Sequence, residues 1–134
     1  MCFLVKRIYQ QPESTDGYRL LVDRLWPRGL SKDGASLDAW MKDVGPSSKL
    51  RRWFNHDAAR WAEFKWRYGA ELDDRPELVD EILTRANGGP VTLLYSARDP
   101  AHNQAVALAE YLTLVMPFRM INCPCQARNC AACI

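Results

Sequence analysis

The sequence lacks a strong excess of either charge, and it has no long apolar run. Its 134 residues contain 18 Lys and Arg against 16 Asp and Glu, which gives a net charge of +2. So even a balance produces no general attraction to nucleic acid or to an anionic membrane. No stretch approaches the roughly 18 apolar residues of a membrane span. The first ten residues, MCFLVKRIYQ, also have too short an apolar run for an export signal. We therefore expect a cytoplasmic protein with no membrane partner.

The chain also lacks internal repeats, low-complexity tracts and a recognisable linker. Hydrophobic residues make up 48% of it and charged residues 25%, values typical of globular proteins. A chain of this length suits one hydrophobic core. We predict a single α/β domain over residues 1–120 and a cysteine-rich tail over residues 121–134. The oligomeric state stays open.

Basic charge is distributed unevenly along the chain. Residues 1–68 contain 13 Lys and Arg against 8 Asp and Glu, whereas residues 69–134 contain 5 against 8. Of the 18 basic side chains, 13 are Arg. The planar guanidinium fork of Arg suits carboxylate and phosphate groups. This composition favours recognition of an anion.

Three or four segments have the residue pattern of strands. Apolar and β-branched residues indicate strands at 3–9 and 18–25, and the apolar run at 90–97 indicates a strand buried on both faces. A final strand is predicted at 117–122, after a crossover helix. The expected fold class is α/β, with a small, mostly parallel sheet covered by helices in a two-layer or three-layer Rossmann-like arrangement.

Helical periodicity fills much of the chain between these strands. Ser36 is expected to cap a first helix, and Asp57 a longer one. Pro76 is expected to open the next helix. Asp99 and Pro100 predict the start of another, which follows the buried strand directly.

The turn after the buried strand is the most informative segment. In open α/β sheets, ligands bind at the carboxyl ends of the strands, and free N–H groups at a helix start attract anions. Ser96 offers a hydroxyl and Arg98 a charged fork, while His102 and Asn103 are expected in the first helical turn. The alternative is an ordinary helix start, since the turn has neither phosphate-loop glycines nor a nucleophilic Cys.

A second concentration of charged residues lies at the end of the strand at 18–25 and just past it. Arg24 and Arg28 lie in a stretch that ends with Trp-Pro-Arg-Gly, and strand alternation directs one charged side chain toward a covered face. A buried Arg needs a partner. That partner is either an acidic residue of the fold, such as Asp99, or the anionic group of a ligand.

A third group of charged and titratable residues contains Arg51, His56 and Asp57. A carboxylate next to an imidazole can orient it for proton transfer, so His56 with Asp57 is a candidate acid/base pair. The alternative is that Asp57 is only a helix cap and His56 a surface residue.

The tail contains four of the five cysteines. They are Cys123, Cys125, Cys130 and Cys133. The last two have the C-x-x-C spacing found in zinc sites, and four thiolates can bind one zinc ion. The tail is therefore a candidate zinc site. The alternatives are free thiols or disulfides formed on oxidation.

Several short motifs between about residue 4 and about residue 114 are shared with one known family. They are Arg7 and Tyr9, Gly17-Tyr18-Arg19, Val22-Asp23-Arg24-Leu25-Trp26-Pro27-Arg28-Gly29, Leu37-Asp38 with Trp40, Pro46-Ser47, Leu50-Arg51, Trp53-Phe54, His56-Asp57, Trp61, Phe64, Tyr68, Leu93-Leu94-Tyr95-Ser96-Ala97, Asp99, His102 and Asn103. In these motifs the chain resembles the YeaO-like proteins, a bacterial family of domains of unknown function (DUF488). The resemblance implies a small α/β fold and no established activity, and it does not cover the cysteine tail.

These observations predict a pocket for a small anion, phosphate-like or nucleotide-like, at the carboxyl end of the sheet. The residues expected to bind the anion are Arg24, Arg28, Arg51, Arg98 and Asn103. The residues expected to support hydrolase- or transferase-type chemistry, if the protein is an enzyme, are His56, His102 and Ser96. Two alternatives stay open: a nucleic-acid-binding or transcription-related accessory protein that uses the Arg-rich first half, and a thiol or metal protein that acts through its tail.

Overall fold

The computed structural model describes residues 3–119. The strands are β1 (Phe3–Arg7), β2 (Tyr18–Leu21), β3 (Ala39–Trp40) and β4 (Val91–Tyr95), and the α-helices are α1 (Lys32–Ala35), α2 (Ser48–Phe54), α3 (Trp61–Asp73), α4 (Pro76–Asn87) and α5 (Gln104–Arg119). Short 3-10 turns occur at Ser14–Asp16, Lys42–Val44 and Ala58–Arg60. Among residues 3–119, none of the helices combines the length and the apolar character needed to cross a bilayer.

The four strands form one sheet in the order β1-β4-β2-β3, and every neighbouring pair is parallel. All five residues of β4 are buried. This is the pattern of a central parallel strand with both faces covered, and the continuous apolar run at 90–97 predicted it. The predicted α/β class with a mostly parallel sheet is confirmed.

Alternation along the strands divides the apolar side chains between two faces. Leu20 and Leu93 belong to the large core, which includes side chains of α2, α3, α4 and α5. Leu21 and Leu94 belong to a smaller cluster with Ile8 and Ala35. One face of the sheet therefore carries a thick helical layer, and the other carries a thin layer of loops and the short α1.

Two long helices have the periodicity expected from the sequence. α3 buries Phe64, Tyr68 and Leu72, which recur every four residues. The Tyr68 hydroxyl donates a hydrogen bond to the carbonyl of Val44 at 2.6 Å. α4 has Pro76 in its first turn, where the missing N–H costs no intrahelical bond.

A buried ionic cluster lies on the thin side of the sheet, and we call Lys6, Asp16 and Arg19 the thin-side cluster. The Asp16 carboxylate accepts from Arg19 Nη1 and from Lys6 Nζ, the latter at 3.2 Å. Gly17, the next residue, has φ of 65°, and a Cβ there would lie 2.2 Å from the carbonyl oxygen of Pro90. Only glycine fits this close approach, so Gly17 holds Asp16 beside the start of β2.

The helix predicted to begin at Ser36 is wrong. Ser36 ends α1 with left-handed backbone at φ 50°, and Ala39 and Trp40 then form β3 beside β2. The indole N–H of Trp40 also donates to the carbonyl of Asp23 at 2.7 Å. Pairing with the sheet outweighs a local helical pattern, because propensity is weak compared with tertiary contacts.

The strand predicted at 117–122 is wrong for residues 117–119, which belong to α5, and residues 120–122 lie outside the described part. β1 and β2 already flank β4 on both sides, so no position beside it is free. α5 also begins later than Asp99, because Asn103 Oδ1 accepts from the N–H of Val106 at 3.1 Å. The predicted domain boundary at residue 120 stays a prediction.

Candidate functional site

A cleft of about 820 Å³ opens at the carboxyl ends of β1, β2 and β4. The carboxyl ends of parallel strands meet at one edge of the sheet, so residues distant in sequence come together there. α2 and the start of α5 complete the wall. The cleft is lined by all eight residues that the sequence predicted for binding or chemistry: Arg24, Arg28, Arg51, His56, Ser96, Arg98, His102 and Asn103.

Asp23 forms part of the wall of the cleft and joins the ends of β2 and β4. Its carboxylate accepts from the backbone N–H of Ser96 at 3.0 Å, from the Ser96 hydroxyl and from the side-chain amide of Gln104. Burial raises the pKa of Asp23 above its usual value, although the Ser96 and Gln104 hydrogen bonds and the charge of Arg51 oppose this rise. Asp23 therefore positions the turn that carries Ser96.

Arg7, the last residue of β1, and Tyr9, two residues beyond it, form one wall of the cleft. The Arg7 guanidinium donates to the carbonyls of Ser96 and Ala97 at 3.1–3.3 Å. It also lies 4.8 Å from the centre of the Tyr9 ring. The Tyr9 hydroxyl donates to the carbonyl of Arg28 at 2.8 Å. The contacts tie the segments after three strands together.

His102 is paired with Asp99. The two side chains meet at 2.8 Å through His102 Nδ1 and Asp99 Oδ2, and the imidazole packs edge-on against Trp61. The N–H group of Ala101 and the bond to His102 hold the pKa of Asp99 below its usual value. This pair leaves the other ring nitrogen of His102 available for proton transfer or for hydrogen bonding.

The expected anion cradle at the start of the helix differs from the prediction. His102 and Asn103 precede α5 instead of lying in its first turn. The N–H groups of Ala101 and His102 both donate to Asp99 Oδ1, at 2.8 Å and 3.1 Å. These donors are directed at a carboxylate of the chain itself, because Asp99 caps its own turn.

Among residues 3–119, Arg24 does not form the expected ion pair with an acidic residue, and a ligand anion as its partner stays a prediction. Its guanidinium donates to the carbonyl of Pro46 at 3.0 Å and to that of Gly45 at 2.8 Å. Backbone carbonyls satisfy the donors but leave the positive charge uncompensated. Arg24 therefore holds the loop before α2 and still contributes its charge to the cleft.

Arg28, Arg51 and Arg98 are the other three predicted arginines of the cleft. Among residues 3–119, none of them forms an ion pair with a carboxylate. Arg51 makes one long hydrogen bond, 3.4 Å, to the hydroxyl of Ser48. Together with Arg7 and Arg24, five arginines line the cleft, against the two carboxylates of Asp23 and Asp99. The cleft is a positively charged concavity.

The predicted acid/base pair of His56 and Asp57 does not form. Asn55 and His56 both have left-handed backbone, with φ of 48° and 54°. The Asp57 carboxylate accepts from the N–H of Ala59 at 3.0 Å and lies 3.6 Å from Arg60 Nε. The sharp turn separates the two side chains, since the imidazole lines the cleft while the carboxylate caps the next turn.

Sequence reasoning missed Arg7, Tyr9 and Gln104 as cleft residues, and it missed the pairing of Asp99 with His102. Arg7 and Tyr9 lie at the carboxyl end of the strand predicted at 3–9, and the rule that carboxyl ends share an edge was enough to include them. The three-residue spacing of Asp99 and His102 was also visible. Gln104 left no signal, because only the packing of α5 brings it to Asp23.

The four tail cysteines, Cys123, Cys125, Cys130 and Cys133, lie outside the described residues, so the zinc site stays a prediction. Within residues 3–119, no three His, Cys, Asp or Glu side chains are grouped as metal ligands. The Ser96 hydroxyl is bonded to Asp23, not to an imidazole. This differs from the Ser-His arrangement of serine nucleophiles.

Comparison with known proteins gives a consistent match. The sequence pattern of the inactive DUF488-N3 subclade, DUF488-N3i, matches residues 3–122. The uncharacterized protein YeaO of Escherichia coli is 43% identical over 107 residues, which cover 80% of this chain and 93% of that protein. Uncharacterized proteins Mb3100c of Mycobacterium bovis and Rv3073c of Mycobacterium tuberculosis are each 40% identical over 108 residues, or 81% of this chain and 91% of theirs. No solved structure matches the chain.

Proposed function

We propose, from the premise that this chain belongs to the YeaO-like DUF488 family, that it binds a small phosphate-containing anion in the cleft. The observation that carries the proposal is the convergence of Arg28, Arg51 and Arg98 on one concavity without carboxylate partners among the described residues. A bound phosphate group would supply the missing counter-charge through charge-assisted hydrogen bonds.

Binding without turnover is the form of the proposal that fits best. The matched subclade is described as inactive. The Ser96 hydroxyl is held by Asp23, and the backbone donors of the turn are directed at Asp99. The pair of His102 and Asp99 still offers one route to hydrolase- or transferase-type chemistry. Incubation of the protein with an aryl phosphate ester distinguishes the two: release of the aryl alcohol, lost in His102→Ala, would favour an enzyme over a binder.

Adjacent arginines on α2 provide a matched test of the binding site. Arg51 and its neighbour Arg52 are both exposed, but only Arg51 lines the cleft. Arg51→Ala should weaken binding of inorganic phosphate by about tenfold or more, as expected for loss of one charge-assisted hydrogen bond. Arg52→Ala should change it by about twofold or less, because Arg52 does not line the cleft and solvent screens its charge from a ligand there. The measurement is a phosphate titration followed by amide chemical shifts at low ionic strength.

The same titration has two outcomes that count against the proposal. Equal loss in both variants would indicate general attraction to basic charge, and no phosphate binding by the unaltered protein would reject the site. A single-stranded oligonucleotide provides the comparison with the nucleic-acid alternative. If the oligonucleotide binds more tightly than phosphate and its affinity falls steeply with salt, the hypothesis of a nucleic-acid-binding accessory protein is favoured.

A further inference from the structure

The size of the cleft exceeds what a phosphate group alone requires. Its volume of about 820 Å³ falls in the range of about 300–1,000 Å³ found for pockets that hold drug-sized organic ligands. Such pockets combine a few placed polar groups with apolar and aromatic lining. The part of the ligand beyond its phosphate must therefore have chemistry that matches the rest of the wall.

Two exposed apolar side chains lie at this cleft. Tyr9 is 43% exposed and Leu25 is 66% exposed, and both line the cleft. Exposed aromatic surface beside an unpaired cluster of charge is a common mark of a binding site for an amphipathic ligand. The cleft thus offers apolar contact in addition to guanidinium groups.

Of the large aromatic side chains in the wall, Tyr9 is the one suited to receive a flat ring. Phe54 and Phe64 are buried and stacked on each other, with ring centres 4.4 Å apart. Trp26 donates its indole N–H to the carbonyl of Leu30 and packs edge-on against Trp40. The two Phe rings are already used by the fold, and Trp26 is less exposed than Tyr9.

Tyr9 is also held rigidly before any ligand arrives. Its hydroxyl donates to the carbonyl of Arg28, and the Arg7 guanidinium covers one side of the ring. Arg7 is in turn anchored to the carbonyls of Ser96 and Ala97. A ring fixed in this way loses little conformational entropy on binding, which is the property of a preorganised platform.

Resting on the proposed function, we infer that the ligand is an organic phosphate with a flat aromatic ring, of the nucleoside monophosphate class. The Tyr9 ring contacts the aromatic ring of the ligand, and the unpaired arginines hold its phosphate. Tyr9 is then the residue that determines specificity for the ring over free phosphate.

Affinities of the unaltered protein for three probes test the inference without any substitution. Adenosine monophosphate should bind about tenfold or more tightly than inorganic phosphate, in line with base–aromatic stacking. Ribose 5-phosphate lacks the aromatic base. Its affinity should therefore be close to that of inorganic phosphate. Equal binding of ribose 5-phosphate and adenosine monophosphate would overturn the inference while leaving phosphate binding in place.

Variants of Tyr9 test whether its ring causes the tighter binding of adenosine monophosphate compared with inorganic phosphate. Tyr9→Leu should lose about tenfold more affinity for adenosine monophosphate than for inorganic phosphate, because only the former has an aromatic ring to stack. Tyr9→Phe keeps the ring and should retain most of the affinity. Trp66→Leu, which removes an exposed ring of α3 away from the cleft, is the matched control. An unchanged preference for adenosine monophosphate in Tyr9→Leu would reject the role of Tyr9, and absence of binding by all three probes would reject the proposed function itself.

Discussion

Two buried aspartates flank β2, and their surroundings differ in kind. Asp16, before the strand, is 4% exposed, and Asp23, after it, is 7% exposed. Asp16 contacts two cations, Lys6 and Arg19. Asp23 contacts neutral donors, the Ser96 N–H and hydroxyl and the Gln104 amide.

The difference separates a stabilising region from the cleft in which we propose that a ligand binds. In the thin-side cluster, each cation contacts a carboxylate of the chain: Asp16 contacts both Lys6 and Arg19, and Glu13 also contacts Lys6. In the cleft, arginines outnumber carboxylates, and Asp23 bonds to neutral groups instead of to the arginines. Charge that the fold leaves uncompensated is available for a ligand. The comparison therefore predicts that substitutions in the cluster affect stability, and substitutions in the cleft affect binding.

The largest effect is expected from Asp16→Asn. It removes the counter-charge of Arg19 in a buried site, which should lower the free energy of unfolding by about 3 kcal/mol. Phosphate binding by the folded fraction should not change. Denaturant unfolding measures the first quantity and a phosphate titration the second. A stable variant with weakened binding would contradict the division between the two regions.

Arg24→Ala should give a mixed effect of intermediate size. Arg24 holds the carbonyls of Gly45 and Pro46 and also lines the cleft. Loss of these hydrogen bonds should lower the free energy of unfolding by about 1–2 kcal/mol, and the lost charge should weaken phosphate binding. Unfolding and phosphate titrations of Arg24→Ala and Arg51→Ala, measured side by side, should show the loss of stability in the former alone.

The pKa values of Asp16 and Asp23 should be shifted in opposite directions from the usual value for an aspartate. Burial alone would raise the pKa of Asp16, but hydrogen bonds from the Glu13 N–H, Lys6 and Arg19 outweigh it and lower this pKa. For Asp23, burial dominates and raises the pKa. NMR of the side-chain carboxyl carbons should therefore give a lower midpoint for Asp16 than for Asp23. The reverse order would show that the cation contacts of Asp16 are absent in solution.

The two pKa shifts should make the free energy of unfolding depend on pH in opposite ways. The contribution of Asp16 is present above about pH 4 and is lost as the pH falls through its lowered folded-state pKa. The contribution of Asp23 is present below about pH 4 and is lost as the pH rises through its raised folded-state pKa. Acid unfolding of the unaltered protein should accordingly be steeper than that of Asp16→Asn, which no longer has the first group.

The smallest effect is expected from Glu13→Gln. Glu13 also contacts Lys6, at 3.0 Å, but its side chain is largely exposed. An exposed ion pair is screened by solvent and contributes little. The denaturation midpoint of this variant should match that of the unaltered protein within experimental error. A loss as large as that of Asp16→Asn would mean that burial does not distinguish the two carboxylates.

Much of the cleft was predictable because one topological rule applies to it. Arg24, Ser96 and Arg98 each follow a strand, and the ends of parallel strands share an edge. The same reasoning failed where backbone geometry or sheet pairing decided the outcome. Left-handed backbone at Asn55 and His56 separates His56 from Asp57, and Ala39 and Trp40 pair with β2 instead of forming a helix.

The sequence by itself determined the α/β class, the buried central strand and the family, because these depend on residue types and their local spacing. Only the tertiary structure decided which charges compensate each other. Arg19 is bonded to Asp16 and Arg24 to two carbonyls, although the sequence predicted both arginines to lie in one strand at 18–25. The physical reason is that the field around a charge depends on neighbours brought close by folding, and those neighbours are distant in the chain.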